Sequence, residues 1–176
     1  SENEGNKGIG YTLNKGIEMC SNEIIIKMDS DDIMVPNRIQ IQLEYMKKNP
    51  NVAICGGQVA MFYNDKNNVH NITKHPDITW KHYKQIKSHW FINHPTVCYR
   101  KSKVLEAGNY DKSLKHMAED FELELRMLKT HGFIKNLTDI LLWYRSHDEQ
   151  VTRGAKTKDK GGASSNYWNN IRNNMI

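Results

Sequence analysis

Asp29-Ser30-Asp31-Asp32 sets three carboxylates within four residues. Two carboxylates about 4 Å apart repel by roughly 1 kcal/mol in water and roughly 4 kcal/mol at an effective dielectric near 20, so such a cluster favours a bound cation or protonation. Hard oxygen donors suit magnesium or manganese better than zinc. A second acidic pair, Glu119-Asp120, and the basic residues Arg145 and His147 stand far along the chain. A positioned carboxylate can accept a proton from an attacking hydroxyl, and an imidazole can ligate a metal. Purely local explanations compete with these roles. Asp32 could cap a helix begun at Pro36, and acids in a helix's first turn gain about 0.3 to 1 kcal/mol from its dipole, which also favours an ionised Asp120. A calcium loop is excluded, because Ile33 stands where an oxygen ligand is needed and Met34 where glycine is needed.

The elements that must position these groups follow from periodicity. Ile24, Ile25, Ile26 and Met28 predict a short buried strand that ends in the acidic run, so the carboxylates lie at a strand's carboxyl end, where open α/β sheets bind ligands. Before it, Ile9, Leu13, Ile17 and Cys20 predict a helix over 8–20; after it, Pro36 starts a helix with Ile39, Leu43 and Met46 as its buried face. Val52 to Tyr63 predicts a strand in which Gly56-Gly57 marks a bulge or close approach, and Val69 to Thr73 a returning strand. Asp77 predicts a cap for a helix carrying Trp80, Tyr83 and Ile86, and residues 90–99 lead into an extended run. Ser102 predicts the start of a short helix closed by Gly108. Glu119 opens a helix with Phe121, Leu125 and Leu128 on one stripe and Gly132 as its stop. Phe133 to Leu137 and Ile140 to Tyr144 predict two strands. Residues 153–164, with Arg153, Lys156, Lys158 and Lys160 among glycines and serines, predict a flexible basic linker, and 165–176 a last helix.

Bulk properties narrow the class. The 176 residues suffice for one core, 26% are charged, and no apolar run approaches the roughly 18 residues of a membrane span. Cys20, Cys55 and Cys98 sit among apolar neighbours without metal spacing, which predicts buried thiols in a reducing, cytoplasmic setting. The net charge of +5 suits an anionic ligand such as a nucleotide diphosphate. Nucleic acid is not an expected partner, since the one local basic cluster lies in the linker.

Taken together, these segments resemble glycosyltransferase family 2, the inverting nucleotide-sugar transferases of GT-A fold. The resemblance rests on Asn6-x-Gly8-Ile9 with Leu13-Asn14-x-Gly16-Ile17, on Lys27-Met28-Asp29-Ser30-Asp31-Asp32-Ile33 with Pro36, Arg38 and Gln42, and on Asn93-His94-Pro95-Thr96-Val97. It continues through Tyr99-Arg100-Lys101, Gly108-Asn109-Tyr110-Asp111, Glu119-Asp120 with Arg126, and Tyr144-Arg145 with His147. It implies a Rossmann-like mixed α/β sheet flanked by helices over residues 1–152. It also implies a divalent cation, Mn2+ or Mg2+, held by Asp31 with Asp29 and His147, and Asp120 as catalytic base. His94, Arg100, Glu119 and Arg145 would line the donor or substrate site. The partners implied are a nucleotide-diphosphate sugar donor and a glycan, lipid-linked or protein acceptor, at a cytoplasmic site beside a membrane. The family opens with a strand, a helix and a second strand ahead of the Asn-x-Gly-Ile segment, and this chain has no counterpart, so a partial domain with an exposed sheet edge is expected. Such an edge invites homo-oligomerisation.

Two other readings compete. A haloacid-dehalogenase-like phosphatase would use Asp29 as nucleophile and Asp31 as acid, but it wants Thr or Val where Ile33 stands. A non-catalytic module would keep the metal and acceptor half without holding donor.

Overall fold

The computed structural model describes Gly5, residues 7–114, 118–147, Gln150 and 163–176, with 163–167 described by backbone only. The expected linker lies outside the described residues except for its last two positions. In chain order the elements are α1 (Ile9–Met19), β1 (Ile24–Ile26), β2 (Ile33–Met34), α2 (Arg38–Lys48), β3 (Ile54–Phe62), β4 (Val69–Ile72), β5 (Ile78–Thr79) and α3 (Trp80–Ile86). A 3-10 turn (His94–Thr96), β6 (Cys98–Arg100), α4 (Lys101–Glu106), α5 (Glu119–His131), β7 (Phe133–Arg145) and α6 (Ala163–Met175) follow.

The main sheet runs β1-β6-β3-β7-β2, with β4 also on β3 and β5 on β7. β1 is antiparallel to β6, β6 is antiparallel to β3, and β3 is parallel to β7, so β1, β3 and β7 point the same way. β1 and β2 lie at opposite ends of this path although only six residues join them. That link contains a turn, in which Asp32 N–H donates to Asp29 O, so it is not fully extended and the sheet must curl to bring its ends together. Among the described residues β1 is paired on one side only.

The core has two parts. Tyr83, Val97, Tyr99, Leu123, Leu125 and Ile134 belong to one cluster, beneath α1, α3 and α5. Met46, Cys55, Cys98, Leu137 and Leu141 form the other, against α2. Gly56 and Gly57 lie where these layers close: a Cβ on Gly56 would meet Ile92 at 2.7 Å, and one on Gly57 would meet Leu141 at 2.5 Å. β3 shifts register against β7 at this point, as a bulge requires. The two strands expected at the carboxyl end are one, β7, because Thr138-Asp139 is accommodated inside that irregular pairing.

Two local expectations are corrected. Ile39 is 50% exposed, and α2 instead buries Arg38, Gln42 and Met46, successive i, i+4 positions. Polar residues face inward there because they have fixed partners: Arg38 Nη2 donates to Lys27 O at 2.6 Å, and Gln42 Nε2 donates to Thr96 O at 2.7 Å. Thr79, not Asp77, caps α3, while Asp77 accepts from Asn136 N–H on β7. Residues 94–96 turn just before the extended β6, and Thr96 Oγ1 donates to Asn93 O at 2.7 Å. Among the described residues no helix is long and apolar enough to cross a membrane.

Candidate active site

The acidic turn is held on both flanks. Lys27 N–H still donates to Val97 O at 3.0 Å, and Arg38 grips the Lys27 carbonyl, so the chain leaves β1 in a fixed direction. Six residues later Ile33 and Met34 pair with Trp143 and Leu142 of β7. The sheet therefore delivers Asp29, Asp31 and Asp32 beside Arg145 and His147, at the carboxyl end of β7. Asp32 Oδ1 accepts Arg145 N–H at 2.9 Å, and Arg145 Nε donates to Asp31 O at 3.0 Å. The Arg145 guanidinium lies over the Phe62 ring, 4.9 Å from its centroid. Burial, with Asp31 and Asp29 alongside, pushes the Asp32 carboxyl up to about 6. Asp32 is thus a strut between turn and strand rather than a helix cap.

Asp31 Oδ2 faces His147 Nε2 at 3.1 Å, with both side chains well exposed. Asp29 Oδ1 turns the other way, onto Lys27 Nζ at 2.5 Å. Among the described residues no group of three or more His, Cys, Asp or Glu is gathered to hold a metal. One carboxylate and one imidazole, with Asp29 alongside, nevertheless fit magnesium or manganese, which keep waters and take substrate phosphate oxygens as further ligands.

The second acidic group starts α5. Ala118 opens that helix at φ 64°, a left-handed conformation unusual for a residue with a Cβ. Glu119 is 8% exposed, and burial, with Asp120 next to it, pushes its carboxyl up to about 7. Asp120 accepts its neighbour Phe121's N–H at 2.7 Å. Burial raises the Asp120 carboxyl, opposed by that N–H and by the Lys27 ammonium. The helix dipole alone predicts an easily ionised Asp120; desolvation outweighs it. One turn on, Glu124 is buried with Oε1 unpartnered, and burial holds its carboxyl well above the usual range. Asp120 and Glu119 both feel the charges of Lys27 and Asp29, so strand tip and helix start, about ninety residues apart in sequence, share one electrostatic neighbourhood.

His94 and Arg100 sit differently from expectation. His94 is half-buried, its Nδ1 3.1 Å from Lys27 Nζ and its Nε2 2.8 Å from Tyr110 Oη, so it meets the tip at Lys27. Arg100 lies away from the acidic turn. Its guanidinium donates to Val52 O, Met46 O and Asn49 O, closing the carboxyl end of α2. Arg100 pairs with Ile24, at the opposite end of β1 from the acidic turn. Lys27, Tyr99 and Tyr110 stand inside the motifs quoted above, but motif reasoning gave them no role. Lys27 carried a signal, a lone cation directly after an apolar strand, whereas the two tyrosines look like ordinary core.

A family model described as Glycosyl transferase family 2 matches residues 2–108, and the chain belongs to that family. An uncharacterised glycosyltransferase of Haemophilus influenzae is 32% identical over 148 residues, 84% of this chain and 54% of the relative. The amylovoran biosynthesis glycosyltransferase AmsE of Erwinia amylovora is 33% identical over 150 residues, 85% of this chain and 55% of AmsE. An Escherichia coli protein named UDP-Gal:alpha-D-GlcNAc-diphosphoundecaprenol beta-1,3-galactosyltransferase is 31% identical over 153 residues, 85% of this chain and 54% of the relative. The chain spans about half the length of these curated relatives. In three dimensions it is similar to S. aureus TarS solved with UDP-GlcNAc, with a TM-score of 0.70 at 13% identity, covering 99% of this chain and 48% of that one. The expected GT-A-like mixed sheet flanked by helices is thereby borne out.

Proposed function

We propose that this chain carries the catalytic side of a metal-dependent inverting glycosyltransferase, which moves a sugar from a nucleotide diphosphate to an acceptor hydroxyl by single displacement. The observation that carries the reading is the shared electrostatic neighbourhood of the acidic strand tip and the acidic start of α5. Displacement at an anomeric carbon leaves negative charge on the departing diphosphate and a proton to be removed from the nucleophile, so it needs a cationic side and a basic side facing one reacting centre.

Asp31 and His147, with Asp29 beside them, would hold a divalent cation, which when bound supplies Lewis-acid stabilisation of the diphosphate. Arg145, anchored on the turn, adds fixed positive charge next to the same group. Asp120 is the base: its carboxylate accepts the acceptor hydroxyl's proton as the new glycosidic bond forms and the bond to the diphosphate breaks. A single displacement with base and leaving group on opposite sides of the anomeric carbon would invert its configuration. Raising a carboxyl by burial suits this task, since a stronger conjugate base near working pH takes the proton more readily. Glu119, next to the base, lines the acceptor side. The UDP-sugar in the TarS complex and the UDP-Gal and lipid-diphosphate words in the E. coli relative's name support a uridine diphosphate sugar as donor and a lipid-linked saccharide as acceptor.

A second reading, a binding or interaction module that holds no donor alone, is favoured by one observation: β1, the strand bearing the acidic tip, is paired on one side only among the described residues. Calorimetry with UDP and with GDP, each with and without manganese, separates the two. Manganese-dependent binding supports the transferase; heat-silent titrations support the module. In a transfer assay Asp120→Asn should lose about 10²-fold or more in kcat while donor affinity stays within twofold, and retained turnover would remove Asp120 from the base role.

A further inference from the structure

Charge is unevenly spread over this molecule. Residues 78–105 contain no aspartate or glutamate, while Lys81, Lys84 and Lys87 fall at three-residue intervals along α3 and its end. These lysines are exposed and form no ion pair among the described residues. The elements packed on α3 add further cations. Lys129 Nζ, from the last turn of α5, lies 5.9 Å from the centre of the Trp80 ring, and Arg172 Nη1 of α6 donates to Lys87 O at 3.1 Å. Asp77, the acid that precedes α3, is taken up by Lys135 at 2.9 Å. Like charges gathered in this way repel, so the fold itself gains nothing from them.

Two large apolar side chains stand in the same stretch. Ile86 is 46% and Trp90 52% exposed. Trp90 is nevertheless held in place. Lys87 ends α3 in the left-handed region at φ 49°, and Ser88 Oγ accepts Trp90 N–H at 3.1 Å while donating to Trp90 O at 3.0 Å. The His75 ring meets the indole edge-on, with centroids 4.9 Å apart. On either side of Trp90 in the chain, His89 and Phe91 reach the same partner, their rings 6.0 and 6.1 Å from that of Phe121, the residue after Asp120. The exposed stretch therefore borders the start of α5.

We propose that α3 and the turn after it, through Lys81, Lys84, Lys87, Ile86 and Trp90, form a docking surface for an anionic lipid bilayer. Such a bilayer answers both kinds of side chain: its headgroup phosphates draw the ammonium groups, and its headgroup–acyl boundary takes up the indole and the isoleucine. A nucleic acid or an acidic protein would use the lysines and leave Ile86 without a role. Docking here sets the start of α5, with Asp120, beside the headgroups, where a lipid-linked acceptor presents its saccharide. That consequence rests on the proposed transferase reading; bilayer binding does not.

The test is flotation of the whole chain, without nucleotide or metal, on phosphatidylcholine vesicles with and without phosphatidylglycerol. Wild type should float with the anionic vesicles alone, and less so as salt is raised. Replacing Lys81, Lys84 and Lys87 together by Gln should weaken binding by about 10²-fold, at about fivefold per lysine. Trp90→Ala should weaken it by about tenfold, since the indole no longer leaves water. Replacing Lys15, Lys47 and Lys48 together by Gln removes the same charge from α1 and the end of α2 and should leave binding within about threefold of wild type. Wild type that fails to float with anionic vesicles overturns the proposal, and so do two triple variants that lose binding equally or a Trp90→Ala variant that binds like wild type. If vesicles bind as expected and no nucleotide sugar supports transfer, the transferase reading fails and the docking surface stands; transfer without vesicle binding overturns the docking surface alone.

Discussion

Replacing Glu119 by Gln should make the protein more stable at alkaline pH and leave it unchanged near pH 4. The carboxyl lies at 8% exposure, and burial with Asp120 alongside raises it from 4.5 to about 7. Below pH 4.5 the group is neutral in the folded and the unfolded chain, and its titration affects neither. As pH rises from 4.5 to 7 the unfolded chain ionises while the fold retains the proton, so stability is lost across that window and the loss is complete above about 7. At about 1.4 kcal/mol per pH unit, the displacement amounts to about 3 kcal/mol. Gln keeps the size and removes the charge, so Glu119→Gln should gain up to about 3 kcal/mol at pH 8.5. With a urea m-value of about 2 kcal/mol/M, the midpoint should rise by roughly 1.5 M. Urea unfolding followed by tryptophan fluorescence at half-unit steps from pH 4 to 8.5 measures this directly. Parallel wild-type and variant curves across the range would refute the claim that Glu119 is desolvated, and with it the electrostatic description of this helix start.

Two glycines of α1 should respond oppositely to alanine. A Cβ on Gly10 would meet Asp111 O at 2.5 Å and Leu114 O at 2.6 Å, both backbone, so Gly10→Ala should cost roughly 1 to 3 kcal/mol in urea unfolding. Gly16 has nothing within 4 Å, so Gly16→Ala should gain about 0.5 to 1 kcal/mol. Arg100→Met removes donors to two carbonyls at the end of α2 and to Val52 O beyond it, and should destabilise by roughly 1 to 3 kcal/mol. Calorimetry should find its nucleotide affinity unchanged in the presence of manganese.

Local patterns were legible where one element suffices to define them. The apolar Ile24–Ile26 run ending in carboxylates, the helix from Glu119 to a glycine stop at φ 79°, and the close approach at Gly56-Gly57 all follow from chain chemistry over a few residues. The inward face of α2 was not legible. Periodicity assigns burial to Ile39, whereas Arg38 and Gln42 are buried because carbonyls of Lys27 and Thr96, supplied by other elements, wait for them. Arg100 shows the same limit: its place in a motif said nothing about which end of β1 it faces.

The sequence by itself determined the kinds of charge available, their placement at a strand end and a helix start, and the family to which the chain belongs. Only the tertiary structure decided that Lys27 joins Asp29 to His94, that Asp120 and Glu119 are desolvated, and that Asp32 braces Arg145. Desolvation and Coulomb interaction depend on distances in space between segments as remote as residues 27 and 120, and no local pattern in the chain encodes those distances.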